Sequence, residues 1–252
     1  MGVIHVNHTF LYVKKSPVLN SILYCVKMYA LLKQGDLSQM SLKIPIETSA
    51  RHIHVCEKDF KKLFGEDASL HYVHELSQPG QYLCQERITV VGPRGRFENV
   101  AILGPYRKET QIELSMTDTR KIGVPGIIRQ SGHTDGTPGC KLVGTKGTIE
   151  LEKGVIVAKR HIHMTPLEAS RAHVKDNDEV FVITQSYERG LIFADVVVRV
   201  SPTFKLSMHV DTDEANAFAN DDSPTGAILK LFDGTTYSLE QWADEVASGI
   251  NR

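Results

Sequence analysis

The tetrapeptide Arg-His-Ile-His occurs twice, at Arg51-His52-Ile53-His54 and at Arg160-His161-Ile162-His163. The copies lie 109 residues apart, from position 52 to position 161. In an extended strand residues i and i+2 share a face. Each His-x-His therefore presents two imidazoles side by side, and neutral imidazole is a common zinc ligand. Two such pairs restrict the chain to one four-histidine site or to two sites built alike.

The likeness runs past the histidines. Met164-Thr165-Pro166-Leu167-Glu168 reads as a helix start, with Thr165 as N-cap, Pro166 at the first helical position and Glu168 closing a capping box. Val55-Cys56-Glu57-Lys58-Asp59 follows the first copy, Asp59 matches Glu168 in offset, and Phe60 and Leu63 have helical apolar spacing. Each copy reads strand, His-x-His, helix N-terminus. A unit used twice implies two related domains or half-barrels. A helix N-terminus beside a metal also favours an anion such as phosphate.

From residue 41 onward short β-rich runs alternate with Gly and Pro turns: Arg87–Val91, Val100–Leu103, Gln111–Leu114, Thr148–Leu151, Val155–Ala158, Glu179–Thr184, Leu191–Val200 and Lys205–Val210. Helical stretches are short, near 57–64, 165–173 and 212–219. This pattern predicts a mainly β chain of barrels or sandwiches with small capping helices. No P-loop or G-x-G-x-x-G occurs, and Gly132–Gly139 reads as a turn-dense loop. The net charge of −1 gives no general bias toward nucleic acid. Cys25, Cys56, Cys84 and Cys140 lack C-x-x-C spacing and read as reduced cytosolic thiols. Cys56, two residues after His54, is the one that could reach a metal.

Residues 18–32 are apolar and follow Lys14 and Lys15, but Lys27 interrupts the run, and no small-x-small cleavage site follows. The run is also too short to span a bilayer. Pro17–Leu32 reads instead as an amphipathic helix, capped by Ser16 and ended by Gly35, with Leu19, Ile22, Leu23, Val26 and Ala30 on one side. Such a helix either packs on the body of the protein or docks on a partner.

Two histidines are too few for a zinc site. His209 ends the run Lys205–Val210, just before the helix-start signal Asp211-Thr212-Asp213-Glu214. Glu113 lies among apolar neighbours in Gln111–Leu114; it either points to solvent or is paired or ligated. Arg107, after Leu103-Gly104-Pro105-Tyr106, is either a solvated turn arginine or a phosphate clamp. His71, His74, His133 and His173 show no pairing pattern.

Several blocks, in this order and spacing, resemble the PduL-type phosphate propanoyltransferases, the phosphotransacylases of bacterial microcompartments. They are Ser49-Ala50-Arg51-His52-Ile53-His54, then Leu103-Gly104-Pro105-Tyr106-Arg107 through Thr110-Gln111-Ile112-Glu113-Leu114-Ser115 to Thr117-Asp118. Ser131-Gly132, Gly136-Thr137-Pro138-Gly139 and Ala158–Met164 follow, and the last block runs from Met208 to Ala217. The resemblance covers roughly residues 43–230.

It implies two related β-barrels capped by short helices, behind an N-terminal helical extension. The corresponding division is a 1–40 extension as a candidate encapsulation segment, a central barrel at 51–158 with an insertion near 65–85, a second barrel of 41–50 plus 159–230, and a 231–252 tail. The strand near 41–50 would complete the second barrel. The resemblance also implies two zinc ions per chain in one active site. His52 and His54 match the ligands of one, and Glu113, His161, His163 and His209 those of the other. Arg107 matches the phosphate-contacting arginine; Ser49, Leu103 and Asn216 match positions around coenzyme A. Two departures stand out: Ala101 replaces an arginine usual in the family, and Val55-Cys56 replaces Leu-Ser.

The implied function is exchange of a short acyl group, propanoyl or acetyl, between coenzyme A and inorganic phosphate. The alternative is a zinc-dependent hydrolase of an acyl or phosphate ester. A non-catalytic scaffold with structural zinc is disfavoured, because structural sites are closed and four-coordinate. The resemblance further implies a homo-oligomer in the microcompartment lumen within the cytoplasm, with shell or core proteins as partners through the N-terminal segment, and neither nucleic acid nor membrane as partner.

Overall fold

Each Arg-His-Ile-His motif forms a short strand between two others, and two sheets grow outward from these motif strands. The computed structural model describes residues 42–184, 189–218 and 223–229, together with the backbone of two N-terminal strands. Those two, β1 (Gly2–Val6) and β2 (Thr9–Val13), pair antiparallel as a two-stranded sheet that the sequence pattern had not indicated. The expected helix at Pro17–Leu32 and the tail at 231–252 lie outside the described residues.

The first sheet has nine strands: β4 (His52–His54), β5 (Tyr72–Glu75), β6 (Tyr82–Val91), β7 (Arg96–Gly104), β8 (Gln111–Glu113), β9 (Ile128–Arg129), β10 (Lys141–Val143), β11 (Thr148–Glu150) and β12 (Val155–Ala158). It curls as a half-barrel around a core that includes Ile53, Phe60, Leu63, Ile88, Val90, Val100, Ile102 and Ile112. Alternation drives this: in β6 Cys84, Ile88 and Val90 turn inward, with register shifts along its pairing with β7 that bend the strands.

The second sheet is a closed barrel of six strands in the order β13 (His161–Met164), β15 (Ile192–Val200), β14 (Glu179–Thr184), β17 (Thr225–Ile228), β3 (Ile44–Ser49) and β16 (Ser207–Asp211). Its separate core includes Ile44, Ile46, Ile162, Met164, Val180, Val182, Phe193, Val196 and Met208. The protein is thus mainly β, with two related sheets.

Four short helices occur among the described residues: α1 (Glu57–Phe64), α2 (Met116–Ile122), α3 (Pro166–Ala172) and α4 (Thr212–Ala217). Three match the sequence reading. The fourth, α2, is capped by Ser115 and closed by Gly123 in the left-handed region. The capping box of Thr165 and Glu168 forms, with Pro166 in the first turn. At α1 the cap residue Cys56 makes no side-chain cap bond; its backbone N–H donates to Thr110 Oγ1, whose hydroxyl donates to Asp59.

The two motif strands have the same neighbours. β4 runs antiparallel to β8, with His52 opposite Glu113, and parallel to β7, with His52 beside Ala101. β13 runs antiparallel to β16, with His161 opposite His209, and parallel to β15, with His161 beside Val197. The strands that lead into the motifs are exchanged. β3, just before the first motif, pairs with β16 in the barrel, and β12, just before the second, pairs with β8 in the first sheet. The exchange brings the two motifs to one shared cavity.

Candidate active site

Register places the two sets of ligand candidates. Ligand atoms of His52, His54 and Glu113 lie within 4.8 Å of one another, as do those of His161, His163 and His209. In the first set His52 Nε2 is 3.6 Å from Glu113 Oε2, and His54 Nε2 is 3.9 Å from Glu113 Oε1. In the second, ring centroids are 4.7 Å apart for His161–His163, 4.9 Å for His163–His209 and 5.3 Å for His161–His209. The resemblance grouped Glu113 with the second motif. Its carboxylate instead lies against the first pair, because β8 pairs directly with β4. Glu113 is 9% exposed and does not face solvent.

Hydrogen bonding prepares both sets for a cation. His52 Nδ1 donates to the Ala50 carbonyl at 2.8 Å, and His161 Nδ1 donates to that of Lys159 at 2.9 Å. In the neutral ring each bond leaves Nε2 as a free lone pair. His54 Nδ1 and His163 Nδ1 are buried without a hydrogen-bond partner. A buried orphan nitrogen is costly unless something absent from the protein completes it. Burial, and then charged neighbours, push His54 down to about 3, His161 to about 4 and His163 to about 2, and His209 is lowered as well. Neutral imidazoles in two clusters, one with a carboxylate, fit divalent zinc.

His52 and Glu113 behave as a pair. Burial opposes charge on both, but their mutual attraction and hydrogen bonding outweigh it, so His52 is raised and Glu113 falls well below the usual carboxylate range. A divalent cation between them would take the place of the shared proton.

Around Glu113 the polar contacts continue. Oε1 accepts from Gln111 Nε2 at 2.6 Å and from Ser131 Oγ at 2.8 Å. Arg107 Nη1 donates to the same Ser131 hydroxyl at 2.9 Å, and Gln111 Oε1 accepts from Gly132 N–H at 2.7 Å. Arg107 is therefore tied to the Glu113 cluster and is not a solvated turn residue. Burial lowers its pKa, with Arg199 acting in the same direction against Glu113. Across the site His209 Nε2 lies 2.9 Å from Ser207 Oγ and 3.6 Å from Glu47 Oε2. Gln78, on the loop between β5 and β6, donates to Ser207 Oγ and to the Lys205 carbonyl, each at 2.8 Å. The first sheet thus reaches across to brace the barrel strand that carries His209.

Both triads open onto one cavity of about 640 Å³, within the size range of small-molecule sites. Arg107, Arg199, Ser49 and Leu103 also line it. Asn216 does not; it sits exposed on α4. Ala101 lines the wall where an arginine had been expected. His74 lines the cavity outside both triads, His71, His133 and His173 are exposed, and Cys56 does not line it. The loop 132–139 makes turns, with Gly132 and Gly136 in the left-handed region and Thr137 N–H bonded to the Thr134 carbonyl.

Sequence reasoning missed Arg199, Ser131, Gln111 and Gln78. Two signals were present. Arg199 is a lone charge in the apolar run Val196-Val197-Val198-Arg199-Val200, and Gln111 shares a strand face with Glu113. Cys84 and Cys140 are buried, and burial pushes their thiols up to about 11 and about 12, which makes them inert.

Comparison with known proteins gives a consistent picture. Residues 45–221 match the family model described as phosphate propanoyltransferase. The phosphate propanoyltransferase of Sebaldella termitidis is 53% identical over 186 residues, 73% of this chain and 87% of that protein. That of Thermotoga maritima is 53% identical over 188 residues, 73% of this chain and 90% of its own length. That of Citrobacter freundii is 46% identical over 186 residues, 74% and 88% of the two chains. The matched span contains both triads, Arg107 and all of the exchanged strand β3 but its first residue, Ile44. With a family model covering most of its length and relatives at this identity, the chain belongs to the phosphate propanoyltransferase family.

Proposed function

We propose that this chain is a phosphate acyltransferase that exchanges a short acyl group, propanoyl or acetyl, between coenzyme A and inorganic phosphate at a centre of two zinc ions. The observation that carries this reading is the convergence of two buried ligand triads and Arg107 on one cavity. His52, His54 and Glu113 would hold one ion, and His161, His163 and His209 the other. Zinc bound there would supply Lewis acidity toward a thioester carbonyl and favour the thiolate form of coenzyme A.

The chain's own residues do the remaining work. Arg107, fixed through Ser131, offers a planar fork that suits a phosphate. Arg199 brings a second cation to the same cavity and helps offset phosphate charge. Ser49 and Leu103 border the space for the thiol end of coenzyme A, and exposed Asn216 is available to a more distal part. No general-base triad is needed, because a held phosphate can attack the thioester directly.

The same reading divides the chain into a unit at 51–158 and a barrel of 41–50 plus 159–230. It gives residues 1–40 the task of docking on shell or core proteins, so that a homo-oligomeric enzyme works in a microcompartment lumen within the cytoplasm. The apolar stripe of Leu19, Ile22, Leu23 and Val26 supports this assignment. Among the described residues, no helix is long and apolar enough to cross a membrane.

The test incubates the zinc-loaded protein with acetyl-, propanoyl- or butanoyl-CoA, with and without phosphate, and follows free thiol and acyl phosphate. Phosphate-dependent formation of acyl phosphate, with two zinc ions per chain by elemental analysis, is the expected result. Loss of acyl-CoA without phosphate and without acyl phosphate would make the protein a hydrolase. Acyl chain length is read in the same experiment, since one methylene is worth only about 1–3 kcal/mol in a pocket.

A further inference from the structure

The internal repeat extends beyond the histidines, to the arginine that opens each motif. Arg51 precedes His52 in the first, and Arg160 precedes His161 in the second. Each arginine immediately precedes its motif strand and turns its guanidinium toward the helix that follows the third ligand. Arg51 grips Asp118 with two bonds of 2.8 Å, Nε to Oδ2 and Nη2 to Oδ1. Arg160 Nη1 donates to Glu214 Oε1 at 2.6 Å, and Arg160 Nε to the Ala194 carbonyl at 2.7 Å. Each guanidinium also lies over a phenylalanine on the next strand, Arg51 over Phe97 at 4.3 Å and Arg160 over Phe193 at 5.4 Å.

The two acids occupy equivalent places. Asp118 comes five residues after Glu113, and Glu214 five residues after His209. Each belongs to the first turn of the helix that follows its ligand strand, α2 or α4. In each case the helix cap, Ser115 or Asp211, stands two residues after the third ligand and accepts from the backbone N–H of the acid, at 3.2 Å and 2.8 Å. Third ligand, cap and acid therefore form one short rigid segment. The arginine ties that segment to the start of the His-x-His strand. Glu113 is the last residue of the three-residue strand β8, and one further tie just beyond it restricts how far it can slide; His209 lies mid-strand in β16, and the tie there fixes the strand through the helix that follows it.

We propose that Arg51 and Arg160 are matched positioning residues, each locking the third ligand of its own triad in register with the His-x-His pair that follows it. Arg51 fixes Glu113 through Asp118, and Arg160 fixes His209 through Glu214. Neither arginine belongs to a triad; each acts through the capped first turn of the helix that follows the third ligand. The inference rests on the two-metal reading above.

The test reads each site separately. Wild-type protein loaded with cobalt is titrated against a chelator and followed by visible absorption; His54→Ala and His163→Ala assign the two components. Arg51→Gln is expected to weaken only the component lost in His54→Ala, by about 10–100-fold, the usual effect of removing a group that orients a ligand. Arg160→Gln is expected to weaken only the other, by a similar factor. Arg51→Lys and Arg160→Lys keep the charge without the planar fork and should fall between. If a glutamine variant does not fold by circular dichroism, its lysine variant carries the test by the same criterion. A shift of both components in one variant would show general loosening and overturn the proposal. So would unchanged metal affinity with a raised KM for coenzyme A, which would make Arg51, a cavity-lining residue, a substrate contact. A single component in the wild type would instead overturn the two-metal reading, while the arginine of the remaining site would still be tested.

Discussion

Arg107 shows how a turn residue becomes functional through its neighbours. It is held by Ser131, which also donates to Glu113. Arg107→Ala is expected to lower phosphate-dependent turnover by about 10²–10³-fold, the usual effect of removing one donor to a developing anion. Zinc content should stay normal, and Arg107→Lys should also be impaired, because lysine lacks the fork. Steady-state kinetics with elemental analysis checks both points. The buried histidines set a second expectation. In the unfolded chain they titrate near 6.5, whereas His54, His161 and His163 in the fold are pushed down to about 3, 4 and 2. Between about pH 6.5 and 4 the unfolded chain therefore binds protons that the metal-free fold refuses. Their contribution is complete above pH 6.5 and is lost as pH falls. Raised His52 works in the opposite sense, but it is outnumbered. Urea midpoints of chelator-treated protein should fall from pH 7.5 to pH 5, and a flat profile would contradict neutral buried imidazoles. The two His-x-His pairs were legible from the repeat itself, whereas Glu113 and His209 joined the ligand candidates through the family resemblance, and the fold brings each within 4.8 Å of one pair. The grouping of Glu113 was not legible, since it depends on which strand β8 pairs with. Gln78 matters through tertiary placement that no local pattern encodes, while Arg199 was marked only by its lone charge in an apolar run.

The elements were legible where one signal dominated. Thr165, Pro166 and Glu168 announce α3, and the capping box forms as read. Thr165→Ala should cost about 1 kcal/mol of stability, visible as a lower denaturation midpoint with zinc content unchanged. Helix α2 was missed because its buried positions are Asp118, Thr119 and Ile122, so the inward face is largely polar and has no apolar period. The strands β14 and β15 show β-branched or alternating runs and were read to within one residue, whereas only the C-terminal half of β6 and the stretch Val100–Leu103 of β7 were read. Strand β5 is exposed at all four positions, and β9 and β10 are very short, so neither alternation nor length marks them. Strand β17 follows a proline and contains Gly226; it is a strand because the barrel needs it between β14 and β3.

At the scale of the molecule the boundary between residues 1–40 and the rest carries the sharpest expectation. No candidate zinc or phosphate residue lies before Ser49, whereas β3 at Ile44–Ser49 closes the barrel. Deletion of residues 1–40 should leave turnover and zinc content near normal and reduce association and packaging. Deletion of residues 1–50 should abolish folding of the barrel and binding of its metal, because β3 supplies Ile44 and Ile46 to the core and lies beside His209. Gel filtration, circular dichroism and metal analysis of the two truncations separate these outcomes. If the shorter deletion also loses zinc, the first forty residues belong to the core. The repeated motif foretold two related halves, but their mutual pairing needed long-range contacts that no window of sequence displays. The exchange of leading strands also has a consequence during synthesis. Strand β3 leaves the ribosome early, yet β16 and β17, its partners in the barrel, emerge about 160 residues later, which at about 5–20 residues per second is roughly 10–30 s. For that interval a strand bearing Ile44 and Ile46 must wait unpaired, so the nascent chain depends on staying dilute or on being shielded until its last third has been translated.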